Sequence, residues 1–298
     1  MVVEIVDDEG TPQGAAEAAH RFGPRVDLLL GPYSTVLANA AARAIEEDGG
    51  LLWNHGGSGS HVERGYPGHV VSILTPTRRY ADPFLAWLEA VSSATELWIA
   101  AGAGRFARQV AGGAAAGCAR AGIEHRRVAS AELIRGPAVS GPWNLFSAGS
   151  FEEDVELANW ATRSGLPPRV MCAVGAGVHR FRDAVGRHDG VLGVAQWAAG
   201  RRAAVAEGPA EAHFLQAYLD RWHQPLDYPG IQAVAGAVIA VHCARTAGQT
   251  GRQALWCAAA ELRTSTLFGD FEIDPSTGEQ VGHRVVLVHW DGDRLALV

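Results

Sequence analysis

Short apolar runs alternate with alanine-rich amphipathic segments along almost the whole chain, and Gly, Ser, Thr or Pro falls at the joins. Parallel strands need a crossover about as long as a helix between them, so this alternation predicts a mainly parallel sheet with crossover helices. The clearest example lies near the start, at VDLLLGPYSTVLANAAARAIEEDGG followed by LLWNHGGSGS. Each strand there exits into a turn rich in Gly, Ser and Thr. Such turns present free backbone N–H groups and hydroxyls at one edge of a parallel sheet, where open α/β folds bind ligands.

The first part of the chain reads as strands at 2–6, 26–30, 51–54 and 70–74, with helices at 12–22, 36–48 and 80–91. A second series has strands at 97–101, 125–129, 144–147, 170–173 and 191–196. Its helices fall around 107–121, at 152–164 and after Gly177. Two series of this kind predict two Rossmann-like lobes with parallel sheets, joined near 75–79. Helices at 209–222 and 229–246 follow, each with a Pro in its first turn, where a missing N–H costs nothing. The second is apolar on several sides and is expected to return the chain to the first lobe. The first lobe is thus expected at 1–76 plus part of 229–270, and the second at 77–228 plus part of 271–298. The ending reads as a β-hairpin tail, with DPSTG and WDGD as turns.

At 298 residues, 48% hydrophobic and 19% charged, the chain is long enough for two α/β cores. No run reaches about 18 consecutive apolar residues, so no membrane span is expected. No N-terminal stretch has the charged head, apolar core and small-residue cleavage site of a signal peptide. The net charge of −7 is spread without blocks, which argues against a nucleic-acid partner. All 25 cationic Lys/Arg positions are Arg, which excludes a Schiff-base Lys and a phosphate-loop Lys. Cys118, Cys172, Cys243 and Cys257 are far apart in apolar patterns with no CxxC pair, and are expected as buried free thiols.

Several weaker motifs carry little. Asp7 and Asp8 are expected to fix their loop rather than bind metal. GAGRF lacks the third glycine of a dinucleotide loop, and VGAGVH lacks the acidic residue that should follow at a strand end. His55, His61 and His69 cluster without HxH or HExxH spacing, so no metal is expected. GGSGS around Ser58 is a near miss for a nucleophile elbow, because Ser60 replaces the closing glycine.

The ordered set DDEGTPQGAAEAAHRF, LLLGPYSTVLANAAARAIEEDGG, LLWNHGGSGS, SAGSFEEDVELANWATRSGLPP, QAYLDRWHQPLDYPGIQAVAGAVIA and FGDFEIDPSTGEQ resembles the type I periplasmic binding proteins of the branched-chain amino-acid and amide kind. These serve ABC importers, and the resemblance covers nearly the whole chain. It implies two Rossmann-like lobes linked by crossovers, closing on a small ligand. It also implies a first βα unit ahead of VVEIVDDEG, of roughly 40–50 residues, judged by the size of a βαβ piece. That unit is missing from this sequence, which is expected to reflect a lost N-terminus and with it a lost signal.

The resemblance assigns ligand-gripping roles to Ser34 or Thr35 in GPYST and to Gly56 and Ser58 in WNHGGSGS. One of Ser34 and Thr35 is expected to cap the helix near Val36 and direct its N–H groups at an anion. His55 is a candidate donor beside them. From the second lobe, Ser150 or Phe151 falls where the family often has an aromatic residue facing the ligand. Val174 falls where amino-acid binders carry a Glu for the ligand's ammonium group. A buried ammonium without a carboxylate is costly, so an acid or amide is expected rather than a plain amino acid. Trp197 and Tyr228 are candidate apolar walls.

The resulting expectation is a non-enzymatic solute-binding protein with no cofactor, a small-molecule ligand and an ABC permease as partner. Its place is outside the cytoplasm if a signal was lost with the N-terminus, and cytoplasmic otherwise. The alternatives are a cytoplasmic ligand sensor of the same fold and, more remotely, a serine hydrolase centred on Ser58.

Overall fold

Glycine and proline punctuation cuts this chain into short elements, and the computed structural model describes them over residues 2–91, 95–136, 139, 141–201, 205–224 and 226–298. They form two units, Met1–Pro76 with Arg202–Arg284, and Thr77–Arg201 with Val285–Val298. The first break falls between Pro76 and Thr77. The stretch 202–228, expected in the second lobe, belongs to the first unit, and of 271–298 the part that joins the second unit is 285–298. Hydrogen bonds explain this: Ala206 and Glu207 donate to the Ser265 carbonyl at 3.1 and 2.9 Å, and Ser72 donates to the Gly278 carbonyl at 2.9 Å.

The first unit opens with α1 (Pro12–Phe22), β1 (Leu29–Leu30), α2 (Thr35–Glu47), β2 (Leu52–Asn54), α3 (His61–Arg64) and β3 (Val70–Ser72). The Thr11 side chain caps α1 by accepting from the Gly14 N–H, and Pro12 takes its first turn. The three strands pair in parallel in the order β1-β2-β3, with Leu30 opposite Trp53 and Asn54 opposite Ser72. Strand alternation then sorts the two faces. Leu52 and Val70 pack with Ala38, Ala41, Ile45 and Val62 of the helices, which leaves Trp53 on the opposite face.

The strand expected at 2–6 does not form. Val2, Val3 and Ile5 are 90%, 68% and 92% exposed, and the segment pairs with no strand of the sheet. β propensity reflects packing against neighbours, so an apolar alternating run without a partner is not held as a strand. Asp7 and Asp8 do fix the loop that follows, accepting from the N–H groups of Glu9 and Gly10 at 2.8 and 2.9 Å.

The second unit continues with α4 (Asp82–Val91), β4 (Leu97–Ala101), α5 (Gly104–Ala121), β5 (His125–Ala129), α6 (Ser130–Ile134) and β6 (Asn144–Ala148). Then come α7 (Phe151–Arg163), β7 (Met171–Ala173), a 3-10 turn at Val174–Gly177, α8 (Arg180–Ala184) and β8 (Val191–Ala195). The chain rejoins the first unit with α9 (Glu211–Trp222), α10 (Tyr228–Ala247), α11 (Arg252–Glu261) and the antiparallel pair β9 (Thr264–Thr266) and β10 (Gly269–Phe271). It ends in the second with the hairpin β11 (Val286–Asp291) and β12 (Arg294–Leu297). The larger sheet runs β12-β11-β8-β7-β6-β4-β5, parallel except for the hairpin. Both faces are covered: Phe84, Ile99, Val110 and Phe146 pack on one side, and Trp98, Trp143, Leu157 and Phe181 on the other.

Among the described residues only α10 is long and apolar enough to cross a membrane by length and composition. Ile231, Ala235, Ile239 and Cys243 are buried, and the helix packs on β1, β2 and α11. Helix α11 was not expected from the sequence. Three cysteines are buried and free as expected, but Cys257 on α11 is exposed.

Candidate ligand-binding site

The two turns picked out by the sequence are stitched together at the exits of β1 and β2. Ser34 is the N-cap of α2, its Oγ accepting from the Leu37 N–H at 3.3 Å. Thr35 is the first helical residue and does a different job: its Oγ1 accepts from the Gly59 N–H at 3.1 Å. The Ser34 N–H donates to the Gly56 carbonyl at 3.3 Å. Ser34 has φ 101°, a region an L-residue enters only when its surroundings hold it there, and such positions concentrate at functional sites. Gly56 is required by proximity: a Cβ there would lie 2.5 Å from the Tyr33 Cα and 2.6 Å from the Pro32 carbonyl oxygen.

Asn54, at the end of β2, organises the second turn. It is fully buried. Its Nδ2 donates to the Gly57 carbonyl and Ser72 Oγ, both at 2.8 Å, and its Oδ1 accepts from the Gly56 and Gly57 N–H groups at 3.3 and 2.7 Å. Ser72 Oγ in turn donates to the buried Glu63 carboxylate at 3.2 Å. Ser58 follows, 8% exposed.

One face of α10 reaches both turns. Tyr228 is hydrogen-bonded to the Tyr33 side chain, and burial together with Asp227 raises the Tyr33 phenol above its ordinary value, despite that bond. Tyr228 is therefore more than an apolar wall. One turn further along, Gln232 Nε2 donates to the His55 carbonyl. Burial lowers the His55 pKa, so the imidazole is held neutral near pH 7 and offers one N–H rather than a cation. Tyr33, Asn54 and Gln232 carry no site signal in the sequence beyond a turn signal at Asn54, two residues before the Gly56–Gly57 pair.

In the second unit the expected residues sit at strand exits filled by the protein's own carboxylates. Ser150 caps α7 in a capping box with Glu153, and its hydroxyl also donates to Glu152 at 3.1 Å, so that hydroxyl is committed to the cap. Phe151 packs edge-on against Phe181 at 6.5 Å, with the Arg180 guanidinium 4.8 Å over its ring. Val174 opens the 3-10 turn after β7. Trp197, after β8, is 5% exposed.

Asp154 lies beneath them. It accepts from Ser147 Oγ at 2.5 Å and from the Gly149 and Gly175 N–H groups at 2.9 and 2.6 Å. Complete burial nonetheless pushes its pKa up to about 7, those three donors acting in the opposite sense. Glu153 accepts from the Ala103 N–H at 2.7 Å, at the start of α5. The glycine-rich segments GAGRF and VGAGVH thus already hold carboxylates where an anion would dock. The start of α2 differs: its first turn contains no acidic residue, and the side chains bonded there are the Ser34 and Thr35 hydroxyls. An uncompensated helix N-terminus flanked by hydroxyls favours an anion or a carbonyl oxygen. Among the described residues no group of three His, Cys, Asp or Glu side chains could hold a metal ion.

Two α/β units built on crossover helices, with a donor-rich pair of turns at the strand exits of the first, define a ligand-binding class of architecture. The family model for periplasmic binding proteins matches residues 1–294, and the chain belongs to that family. It has the type I fold of that family and is a solute-binding protein, not an enzyme. No curated protein matches the sequence. Among solved structures it is similar to the leucine-binding protein LivK of Thermotoga maritima, at TM-score 0.81 and 14% identity over 98% of this chain and 85% of that one. The branched-chain amino-acid binding protein LivJ of Streptococcus pneumoniae, solved with isoleucine, matches at TM-score 0.78 and 13% identity over 99% and 87%. A solute-binding protein of Rhodopseudomonas palustris BisB5, solved with 3,4-dihydroxybenzoic acid, matches at TM-score 0.78 and 14% identity over 100% and 84%. At these identities the likeness is one of fold.

Proposed function

We propose that this chain is the extracytoplasmic solute-binding component of an ABC importer and delivers a small carboxylate- or amide-bearing ligand to a permease. The observation that carries this reading is the start of α2. It is the strand exit where hydroxyls and helix N–H groups converge without a carboxylate of the protein's own. The ligand's oxygen end is placed there, with Ser34, Thr35, Gly56 and Ser58 as its grip and His55 and Tyr228 beside it. Where the resemblance implies a Glu in amino-acid binders this chain has Val174, which favours an acid or amide over a free amino acid. The family and the relatives solved with isoleucine or 3,4-dihydroxybenzoic acid support a small organic solute.

A thermal-shift panel of amino acids, aromatic acids and amides tests the reading. At least one acid or amide is expected to raise the melting temperature, and Thr35→Ala combined with Ser58→Ala is expected to remove the shift. If no member of the three classes stabilises the protein, or the double variant responds as the wild type does, the assignment is wrong.

A further inference from the structure

The face of β2 turned away from Asn54 packs on α10. A Cβ added at Gly236 would lie 3.4 Å from the His55 Cβ and 3.7 Å from Ile73 Cγ1, so His55 lies along the helix there. Trp53 Nε1 on β2, His55 Nδ1 just after it and Gln232 Oε1 on α10 are buried and have no hydrogen-bond partner among the described residues. Trp53 and Gln232 are essentially completely buried. Buried polar groups are nearly always paired, and a cluster of unpaired ones beside a proposed binding turn calls for a physical reason.

The chemistry of the three atoms is defined. Gln232 Nε2 is committed to the His55 carbonyl, so the other end of the amide is the oxygen; a flipped amide would set two carbonyl oxygens against each other. Gln232 therefore presents an acceptor. The Trp53 indole can only donate, and a neutral imidazole nitrogen either donates or accepts, according to its tautomer.

We propose that Gln232 accepts a hydrogen bond from an uncharged N–H group of the ligand, and that the Trp53–His55–Gln232 seam selects a primary carboxamide. This rests on the solute-binding reading above and narrows its ligand class. A carboxamide supplies both missing partners, N–H groups for Gln232 Oε1 and a carbonyl oxygen for a donor. A carboxylate brings only acceptors and sets a negative charge against the Gln232 oxygen. An ammonium brings only donors and a charge that the neutral Gln232 amide leaves unbalanced. The carbonyl end of the same amide also suits the N–H groups at the start of α2.

Calorimetric titration of the full chain with butyramide and benzamide, with butyrate and benzoate, and with butylamine and benzylamine tests this directly. The wild type is expected to bind an amide about tenfold or more tightly than its matched acid and amine. Gln232→Leu is expected to lose that preference, and the nearly isosteric Gln232→Glu to move it toward the amine. Circular dichroism and melting establish that each variant is folded, and Gln232→Glu keeps the test decisive if Gln232→Leu is not. A wild type that prefers the acid, or a folded variant that keeps the amide preference, overturns the inference while leaving solute binding intact. Failure of all six probes to bind overturns it as well, and the broader thermal-shift panel then decides the solute-binding reading separately.

Discussion

A single side chain, Asn54, holds the WNHGG turn through four hydrogen bonds, from a position with no solvent exposure. Asn54→Ala would strand the Gly57 N–H and carbonyl and loosen Ser72 from its network. The expected loss is about 2–4 kcal/mol, since buried groups left unpaired cost more than the mean hydrogen bond; urea unfolding measures it. Asp154 gives a prediction with a sign. Its folded-state pKa is raised from 3.8 to about 7 by burial. The folded chain therefore binds this proton more tightly than the unfolded chain, so the group stabilises the fold most below its unfolded value. That contribution fades as pH rises through about 7. Relative to Asp154→Asn, the wild type should gain melting temperature as pH is lowered from about 8 toward 4. Parallel pH profiles for the two proteins would contradict the assignment. Ser34 and Gly56 were legible because caps and close turns have residue signatures. Gln232 was not, because a lone polar residue in an apolar run reveals its partners only after folding, and nothing marks Asp154 as the buried one among the acids of FEEDVE.

At the scale of elements, the sequence pattern located helices and strands well wherever periodicity and punctuation agreed, as in α1, β4 and β5. It failed at 2–6, where strand-like residues have no neighbour, and at α11, where RQALWCAAAE has no strong apolar stripe. It also read DPSTG correctly as a turn without showing what the turn covers. In the structure Gly278 sits at φ 79° and accepts from the Ser72 N–H, and Gln280 Nε2 donates to the Ile73 carbonyl at 3.0 Å. The segment therefore closes the open edge of β3, a protection that sheet edges need. A Cβ at Gly278 would lie 2.0 Å from the Val70 carbonyl oxygen and 3.0 Å from the Trp256 ring. Gly278→Ala is expected to destabilise the first unit by about 1–3 kcal/mol, through a disfavoured backbone conformation and the clash together. Faster amide exchange at Ser72 would show that the edge has opened; unchanged protection there would refute the role given to the turn.

For the molecule as a whole, two repeated βα series were enough to anticipate two units, and the family resemblance supplied their type. That 202–228 belongs with the first unit was not legible, because α9 carries no strand pairing that the sequence could declare. That choice is made by contacts such as those of Ala206 and Glu207 with Ser265. The same interleaving makes the second unit depend on the last residues of the chain. β11 pairs antiparallel with β8, Val286 opposite Ala195 and His289 opposite Leu192, and buries Leu287, Val288 and Trp290. The Trp290 Nε1 also donates to the Ala176 carbonyl at 3.1 Å, tying the hairpin to the turn that begins at Val174. Deleting 285–298 would uncover β8 as a fully apolar edge, VLGVA, ready to pair with another chain. It would also remove three large buried side chains from a core that cannot close over their absence. The truncated chain is therefore expected to aggregate or to lose the cooperative melting of its second unit. Size-exclusion chromatography with a thermal melt provides the check, and a monomeric truncation that melts like the full chain would show that the hairpin is dispensable.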